Sequence, residues 1–180
     1  MRVATFNIRN GRALDPPSLW WRRRSRVAAV IEELEADLWA LQEAYRFQIA
    51  WLRRVLPADS WARAGRGRNA RGGGEHVPVL WRTARFERVD DTTRWFGPTP
   101  DRPGSRLPGA AFPRIATTVE LVDRDRDVRL RVVNTHLDET SAERRAAAAA
   151  QLLEWLDPLG ERPTIVLGDL NGPPGEAALE

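Results

Sequence analysis

The sequence predicts a single α/β domain with mixed β-sheets. Strand-like and helical patterns alternate at both ends of the 180-residue chain, and several strand patterns follow one another in its middle. No internal repeat or linker-like segment divides the chain, and its length suits one domain with a substantial core. We therefore expect one domain over residues 1–180.

The first half of the chain predicts two strands, each followed by a helix. Residues 3–8 are the first strand, and Ser18 is placed to cap a helix over about 19–35 that has apolar residues at helical spacing. Residues 38–41 form a second, buried strand. A short helix follows it and ends before Pro57.

The middle of the chain predicts strands separated by loops. Glycine-rich residues 65–74 have no periodicity and indicate a loop. Residues 77–81 and 86–89 are two short strands around a Thr-Ala-Arg turn. A second loop, residues 97–109, contains four prolines.

The last part predicts a hairpin, a helix and a strand. Residues 115–122 and 128–137 flank a turn of alternating aspartate and arginine. Thr-Ser-Ala-Glu at 140–143 is a capping box that opens an alanine-rich helix to about Leu156. The last strand is 164–170, and a further helix begins at 175–180. The predicted core stripe of the alanine-rich helix is Leu152, Leu153 and Leu156.

Composition limits the possible compartments and partners. The chain is 42% hydrophobic and 29% charged, with no apolar run long enough to span a bilayer. It starts without a signal-peptide pattern, so we expect a cytoplasmic protein with no membrane partner and no obligate protein partner. The absence of cysteine excludes disulfides and thiolate metal sites.

All basic residues are arginine, at a net charge of +3. Arginine suits phosphate recognition, yet a compositional bias explains the same count, so composition alone does not decide between these readings. The glycine-rich loop contains three arginines, Arg66, Arg68 and Arg71. They either form a solvated surface or bind phosphate.

Polar side chains follow the apolar stems of four predicted strands. Alternation at period two places Ile165, Leu167 and Asp169 on one face, and likewise Trp39, Leu41 and Glu43. Ligands bind at the carboxyl ends of strands in α/β folds, and an oxygen-rich set with one imidazole suits Mg²⁺ or Mn²⁺. The candidate set is Asn7, Glu43, Asn134, His136, Asp169 and Asn171.

Each of these residues alone has a structural alternative. Asn7 could be a turn residue, and Glu43 an acid that favours the start of the following helix. His136 could be a histidine that is merely hydrogen-bonded. Asp169 and Asn171 could cap the Gly-Pro-Pro turn.

Four short motifs resemble one family when they are taken together and in order. They are Thr-Phe-Asn-Ile (5–8), Leu-Gln-Glu (41–43), Asn-Thr-His-Leu-Asp (134–138) and Gly-Asp-Leu-Asn (168–171). Residues 74–82 and 112–116 also look like middle strands of that family. With these, the chain resembles the endonuclease/exonuclease/phosphatase superfamily over essentially its whole length.

The resemblance implies a deoxyribonuclease I-like four-layer sandwich, in which two packed mixed sheets are flanked by helices. It also implies a Mg²⁺- or Mn²⁺-dependent hydrolase of phosphodiesters or phosphomonoesters. Glu43 and Asn7 would hold the metal, Asp169 and Asn171 would activate water, and His136 would donate to phosphate. Substrate-binding candidates are Asn134, Glu75 and Arg114.

The resemblance leaves the substrate open among nucleic acid, inositol phosphates, lipids and other phosphate esters. A different class, a catalytically impaired fold that only binds phosphate or nucleic acid, is the main alternative. A calcineurin-like metallophosphatase fits less well, because such enzymes need several more histidines than the two present.

The family pattern ends in a late Ser-Asp-His-like motif that is absent from residues 1–180. We therefore expect a C-terminally incomplete fold with an unprotected sheet edge and an impaired metal site. A fragment of a longer protein, a truncated product and completion by a second chain are the three explanations.

Overall fold

Two four-stranded β-sheets form the centre of the protein in the computed structural model, which describes residues 1–57 and 60–173. The helix expected at 175–180 lies outside the described residues. The elements are β1 (Val3–Asn7), α1 (Trp20–Glu33), β2 (Leu38–Gln42), α2 (Arg46–Val55), β3 (Trp61–Ala64), β4 (Val79–Arg82), β5 (Phe86–Trp95), β6 (Ile115–Asp123), β7 (Val128–His136), α3 (Ala142–Leu156) and β8 (Thr164–Asp169).

Both sheets are mixed, as the sequence predicts. The first has the strand order β1-β2-β4-β3, with β1 parallel to β2 and the other neighbours antiparallel. The second has the order β5-β6-β7-β8, with antiparallel pairs except for the parallel pair β7 and β8. The parallel pairs bring the carboxyl ends of β1 and β2, and of β7 and β8, to a common edge.

Three apolar layers hold the fold together. The layer between the sheets contains Leu38 and Val79 from the first sheet and Val119 and Val132 from the second, all with no exposed surface. A second layer packs α1 and α2 on the first sheet, and a third packs α3 on the second. The order helix, sheet, sheet, helix confirms the predicted four-layer sandwich.

The strand prediction differs from the structure between residues 60 and 95. β4 and β5 flank the predicted Thr-Ala-Arg turn, but they belong to different sheets, because this turn carries the chain from the first sheet to the second. β5 continues to Trp95, with a bulge between Arg88 and Asp90, although most of its side chains are polar and at least partly exposed. β3 was not predicted, because four half-exposed residues have too short a pattern.

The predicted start of α1 is wrong. Ser18 does not cap the helix, because Pro16–Ser18 form a 3₁₀ turn and Leu19 becomes the residue that precedes the helix. The backbone carbonyl of Ser18 instead accepts a 2.7 Å hydrogen bond from Arg23 Nε.

The predicted core stripe of α3 is also wrong at Leu153, which is 68% exposed. The buried positions are Arg145, Ala148 and Leu152, which follow the helical period, whereas Leu153 is one step of about 100° away. The predicted capping box is wrong by one residue. Ser141 and not Thr140 caps α3, and its side chain accepts from the Arg144 backbone N–H at 3.2 Å.

No helix among residues 1–57 and 60–173 combines the length and apolar character that a membrane crossing needs.

Candidate active site

The carboxyl ends of four strands meet where the two sheets touch. β1 and β2 bring Asn7 and Glu43 from the first sheet, and β7 and β8 bring His136 and Asp169 from the second. An open depression of about 700 Å³ lies at this edge. Its lining is Thr5, Asn7, Gln42, Gly168, Asp169, Leu170, Asn171 and Gly172.

One amide group joins the two sheets at this edge. Asn7 Nδ2 donates to Glu43 Oε1 at 2.8 Å and to Asp169 Oδ2 at 2.8 Å. Asn7 Oδ1 accepts from the backbone N–H of Arg9, which holds the amide in this orientation. Two carboxylates that are far apart in sequence therefore approach one another across a single neutral side chain.

Glu43 reaches the site through an unusual backbone conformation. Its φ is 58°, in the left-handed region that a glutamate seldom adopts. Simple alternation would place Glu43 on the face of Trp39 and Leu41, and both of these pack toward the helices. The prediction from alternation was therefore wrong for Glu43, because the left-handed turn ends the strand pattern and redirects the carboxylate.

Asp169 and Asn171 are also connected by a left-handed turn. Asn171 has a φ of 52°, a conformation that asparagine tolerates. Its backbone N–H donates to Asp169 Oδ1 at 3.2 Å, and its side-chain amide donates to the carbonyl of Leu137 at 3.0 Å. The turn thus fixes the Asp169 carboxylate against the end of β7.

Gly168 lets β8 approach β7 closely at the same point. A Cβ on Gly168 would lie only 2.4 Å from the Thr135 carbonyl oxygen, too near for any other residue without a backbone shift. The glycine before Asp169 is therefore explained by packing, and the aspartate is carried to the edge by the parallel register of His136 with Asp169.

His136 lies beside Asp169 in a buried position. Its Nε2 is 3.8 Å from Asp169 Oδ2, and it is only 6% exposed. Burial, and next the positive charge of Arg114, lower the pKa of His136 to about 4. The ring is therefore neutral near pH 7 and carries one N–H that can donate to a bound oxygen.

Glu75 and Arg114 lie beside His136, together with Arg68. These four residues line one small cavity. Burial raises the pKa of Glu75, although Arg68 Nη1 lies 2.7 Å from its carboxylate and opposes that shift. Arg114 is also buried, and it reaches Glu139 at 3.6 Å. The structure thus brings Glu75 and Arg114 close to His136, as expected of substrate-binding candidates.

Asn10 connects this group to Glu43, and sequence reasoning did not find it. Its backbone N–H donates to Glu43 Oε2 at 2.5 Å, and its side chain donates to Glu75 Oε1 at 3.2 Å. Asn10 follows β1 by three residues in an irregular segment, so no periodicity marks it. The repeated asparagine in Asn-Ile-Arg-Asn is the only sequence signal for it.

Asn134 is placed away from the depression. It has no exposed surface, and its amide nitrogen donates to the carbonyls of Leu41 and Pro78, both at 2.8 Å. Its carbonyl accepts from Gln42 Nε2 at 2.7 Å. These bonds cross from the second sheet to the first, so the observed contacts of Asn134 connect the sheets rather than line the site.

The donor set at this edge fits a hard divalent cation. Within residues 1–57 and 60–173, no three histidine, cysteine or acidic side chains cluster closely enough to hold an ion by themselves. Mg²⁺ needs only one or two carboxylates, because water and phosphate oxygens complete its coordination. Glu43 and Asp169 provide such oxygens on either side of the Asn7 amide nitrogen. The Asn7 carbonyl oxygen accepts from the Arg9 backbone N–H at the same edge.

Comparison with known proteins agrees with this arrangement. The model of the endonuclease/exonuclease/phosphatase family matches residues 4–180. The chain belongs to this family. No sequence among curated proteins matches it.

Solved structures of family members superpose closely on the chain. A family protein from Bacteroides vulgatus is 33% identical, with a TM-score of 0.92 over 99% of this chain and 68% of that one. A family protein from Bacteroides thetaiotaomicron is 27% identical, with a TM-score of 0.92 over 99% and 66% of the two chains. A mannosyl-6-phosphatase of Bacteroides thetaiotaomicron is 28% identical, with a TM-score of 0.88 over 95% and 65%. The chain therefore spans about two thirds of the length of these proteins.

Proposed function

We propose that the chain carries the catalytic centre of a divalent-metal-dependent phosphoesterase. The observation that supports this most directly is the amide of Asn7 bonded to both Glu43 and Asp169, with His136 beside Asp169. Membership of the family, and its similarity to a mannosyl-6-phosphatase, support phosphate-ester hydrolysis as the reaction class.

Each side chain has a role that its position allows. Glu43 and Asn7 would hold a Mg²⁺ or Mn²⁺ ion, which neutralises phosphate charge and stabilises the leaving oxygen when bound. Asp169, oriented by Asn171, would position and deprotonate the attacking water for an in-line displacement. His136, neutral near pH 7, would donate its N–H to a phosphate oxygen as charge develops there.

Arg68 and Arg114 add positive charge beside His136. Both lower the pKa of that histidine, so their field reaches the place where a phosphate would lie. Glu75 partly neutralises Arg68, and Asn10 connects Glu75 to Glu43. These groups would orient the substrate without acting on the reacting bond. The phosphate ester itself, nucleic acid included, is left open by these contacts.

A hydrolysis assay tests the proposal. We expect phosphate release from p-nitrophenyl phosphate or its bis-ester to require Mg²⁺ and to fall by about 10³-fold in Asp169→Asn and Glu43→Gln, because each removes a group used in the transition state. Glu87→Gln, an exposed acid on β5, is the matched control and should keep full activity.

Turnover that persists in Asp169→Asn, or that is equal with a chelator, would refute the proposal. Absence of any turnover, together with salt-dependent nucleic-acid binding that is unchanged by Glu43→Gln, would favour the alternative of a binding module.

A further inference from the structure

A second group of basic side chains lies next to the candidate site and has no role in it. A cleft of about 370 Å³ is bounded by α2 on one side and by β3 with its following loop on the other. We name it the arginine cleft after Arg46, Arg53, Arg63 and Arg66. Its remaining lining is Ile49, Ala50, Gly65, Gly67, Gly72 and His76.

The cleft contains positive charge without counter-charge. Its lining includes no aspartate or glutamate, and within the described part of the chain none of the four arginines forms an ion pair. Arginines elsewhere pair closely with carboxylates, for example Arg85 with Asp123 at 2.7 Å and Arg162 with Glu120 at 2.6 Å.

Three of the four arginines, Arg46, Arg53 and Arg63, are close enough to repel one another. Burial lowers the pKa of Arg63, and the charges of Arg53 and Arg46 lower it further. Like charges that converge without a partner are unfavourable, and an anion in the cleft would remove the repulsion. Guanidinium groups are also the side chains best suited to hold phosphate oxygens in pairs.

The glycine-rich loop forms part of the wall of the cleft. The loop folds back on itself, so that a Cβ on Gly67 would lie 2.4 Å from the carbonyl oxygen of Gly73. Backbone bonds from Arg68 to Glu75 and from Asn69 to Gly73 hold this shape. The sequence has three arginines in this loop. Arg68 forms an ion pair with Glu75, and of the three only Arg66 lines the cleft.

The cleft adjoins the backbone that carries the candidate site. His76, part of its lining, pairs with Ala44 through hydrogen bonds of 2.8 Å and 3.3 Å. Ala44 follows Glu43 directly, and His76 follows Glu75. One lining residue of the cleft is therefore the neighbour in sequence of Glu75 and is paired with the neighbour of Glu43.

We propose that the arginine cleft binds a second phosphate group of the substrate, so that the enzyme acts on compounds with at least two phosphates. One phosphate lies at the candidate active site, and another is held by Arg46, Arg53, Arg63 and Arg66. The assignment of this phosphate to the substrate rests on the proposed phosphoesterase function. Phosphate binding in the cleft can be measured without turnover.

Titration calorimetry of the protein with inorganic pyrophosphate in EDTA tests the site. The variant Arg53→Gln/Arg63→Gln should bind pyrophosphate about ten-fold or more weakly, because two charge-assisted contacts are lost. The control Arg26→Gln/Arg54→Gln removes two exposed arginines outside the cleft and should change the affinity less than about two-fold. Thermal melts confirm that both variants are folded.

Equal weakening in both double variants, or none in the cleft variant, would overturn the proposal. Because EDTA removes any metal, the titration does not depend on turnover. Pyrophosphate binding that is intact while the wild-type protein hydrolyses no phosphate ester with Mg²⁺ would refute only the phosphoesterase function. Repeating the titration with a single-stranded DNA hexamer separates two sources of phosphate. Tighter binding of the hexamer, with a steeper salt dependence, identifies a nucleic-acid backbone, and tighter binding of pyrophosphate identifies a small polyphosphorylated molecule.

Discussion

His136 is the residue whose ionisation most clearly links the site to stability. It is buried between Asp169 and the two arginines Arg68 and Arg114, and its pKa is lowered from 6.5 to about 4. In the unfolded chain the same imidazole would titrate near its ordinary value. The unfolded state therefore binds a proton at a pH where the folded state does not.

This difference predicts a loss of stability in mild acid. As the pH falls from 6.5 toward 4, protonation of unfolded His136 should lower the free energy of unfolding by about 3 kcal/mol. Urea unfolding of wild type and His136→Asn across this range would measure it. The variant should show a flatter dependence, and an identical slope in both proteins would contradict the assignment.

At the residue scale, sequence patterns predicted which side chains form the candidate site. They did not predict the backbone conformation that brings each side chain there. Asn7, Glu43, His136 and Asp169 were predicted from strand ends and do converge. The route of Glu43 was not predictable, because period-two alternation has no means of representing a left-handed residue at the strand end. Asn10 was missed for a related reason, since irregular backbone carries no periodic signal.

At the scale of elements, the connection between β2 and β7 depends on one buried amide. Asn134 bonds Leu41, Pro78 and Gln42 at a position with no exposed surface. Replacement by an apolar side chain of similar size leaves those partners unsatisfied.

We therefore expect Asn134→Leu to lower the free energy of unfolding by about 2–4 kcal/mol. Thr92→Ala, at an exposed position on β5 in the same sheet, is the control and should change it by less than about 0.5 kcal/mol. Thermal or urea unfolding compares the two. A midpoint for Asn134→Leu equal to wild type would show that the amide does not hold the sheets together.

Long, strongly patterned elements were predictable, and short or polar ones were not. The hairpin of β6 and β7 has apolar residues on both faces and was predicted with nearly its observed bounds. β3 and the second half of β5 gain their strand conformation from pairing with β4 and β6, which local sequence does not encode. The passage of the chain from the first sheet to the second after β4 likewise depends on tertiary packing and not on local sequence.

At the scale of the whole molecule, the candidate metal site lies where the two sheets meet. Its candidate ligands, Glu43 and Asn7, come from the first sheet, and Asn7 also bonds Asp169 of the second, so an ion held there would strengthen this junction. Binding to the folded state alone raises stability by mass action.

Mg²⁺ should therefore raise the melting temperature of wild type, with a gain of about 2.7 kcal/mol at a hundred-fold excess over the dissociation constant. Glu43→Gln should abolish the rise, whereas Glu87→Gln should keep it. Differential scanning calorimetry measures the shift without any substrate. A rise of the same size in Glu43→Gln would place the ion elsewhere.

The hydrogen bond from Asn7 to Asp169 spans 162 residues, which has a consequence for biosynthesis. β1 leaves the ribosome early. The amide of Asn7 can bond to the Asp169 carboxylate only after nearly all of the intervening chain has been synthesised. A nascent chain released before Asp169 has emerged would lack this hydrogen bond altogether. Premature termination anywhere upstream should thus yield polypeptides that are inert toward phosphate esters, however much of the first sheet they have folded.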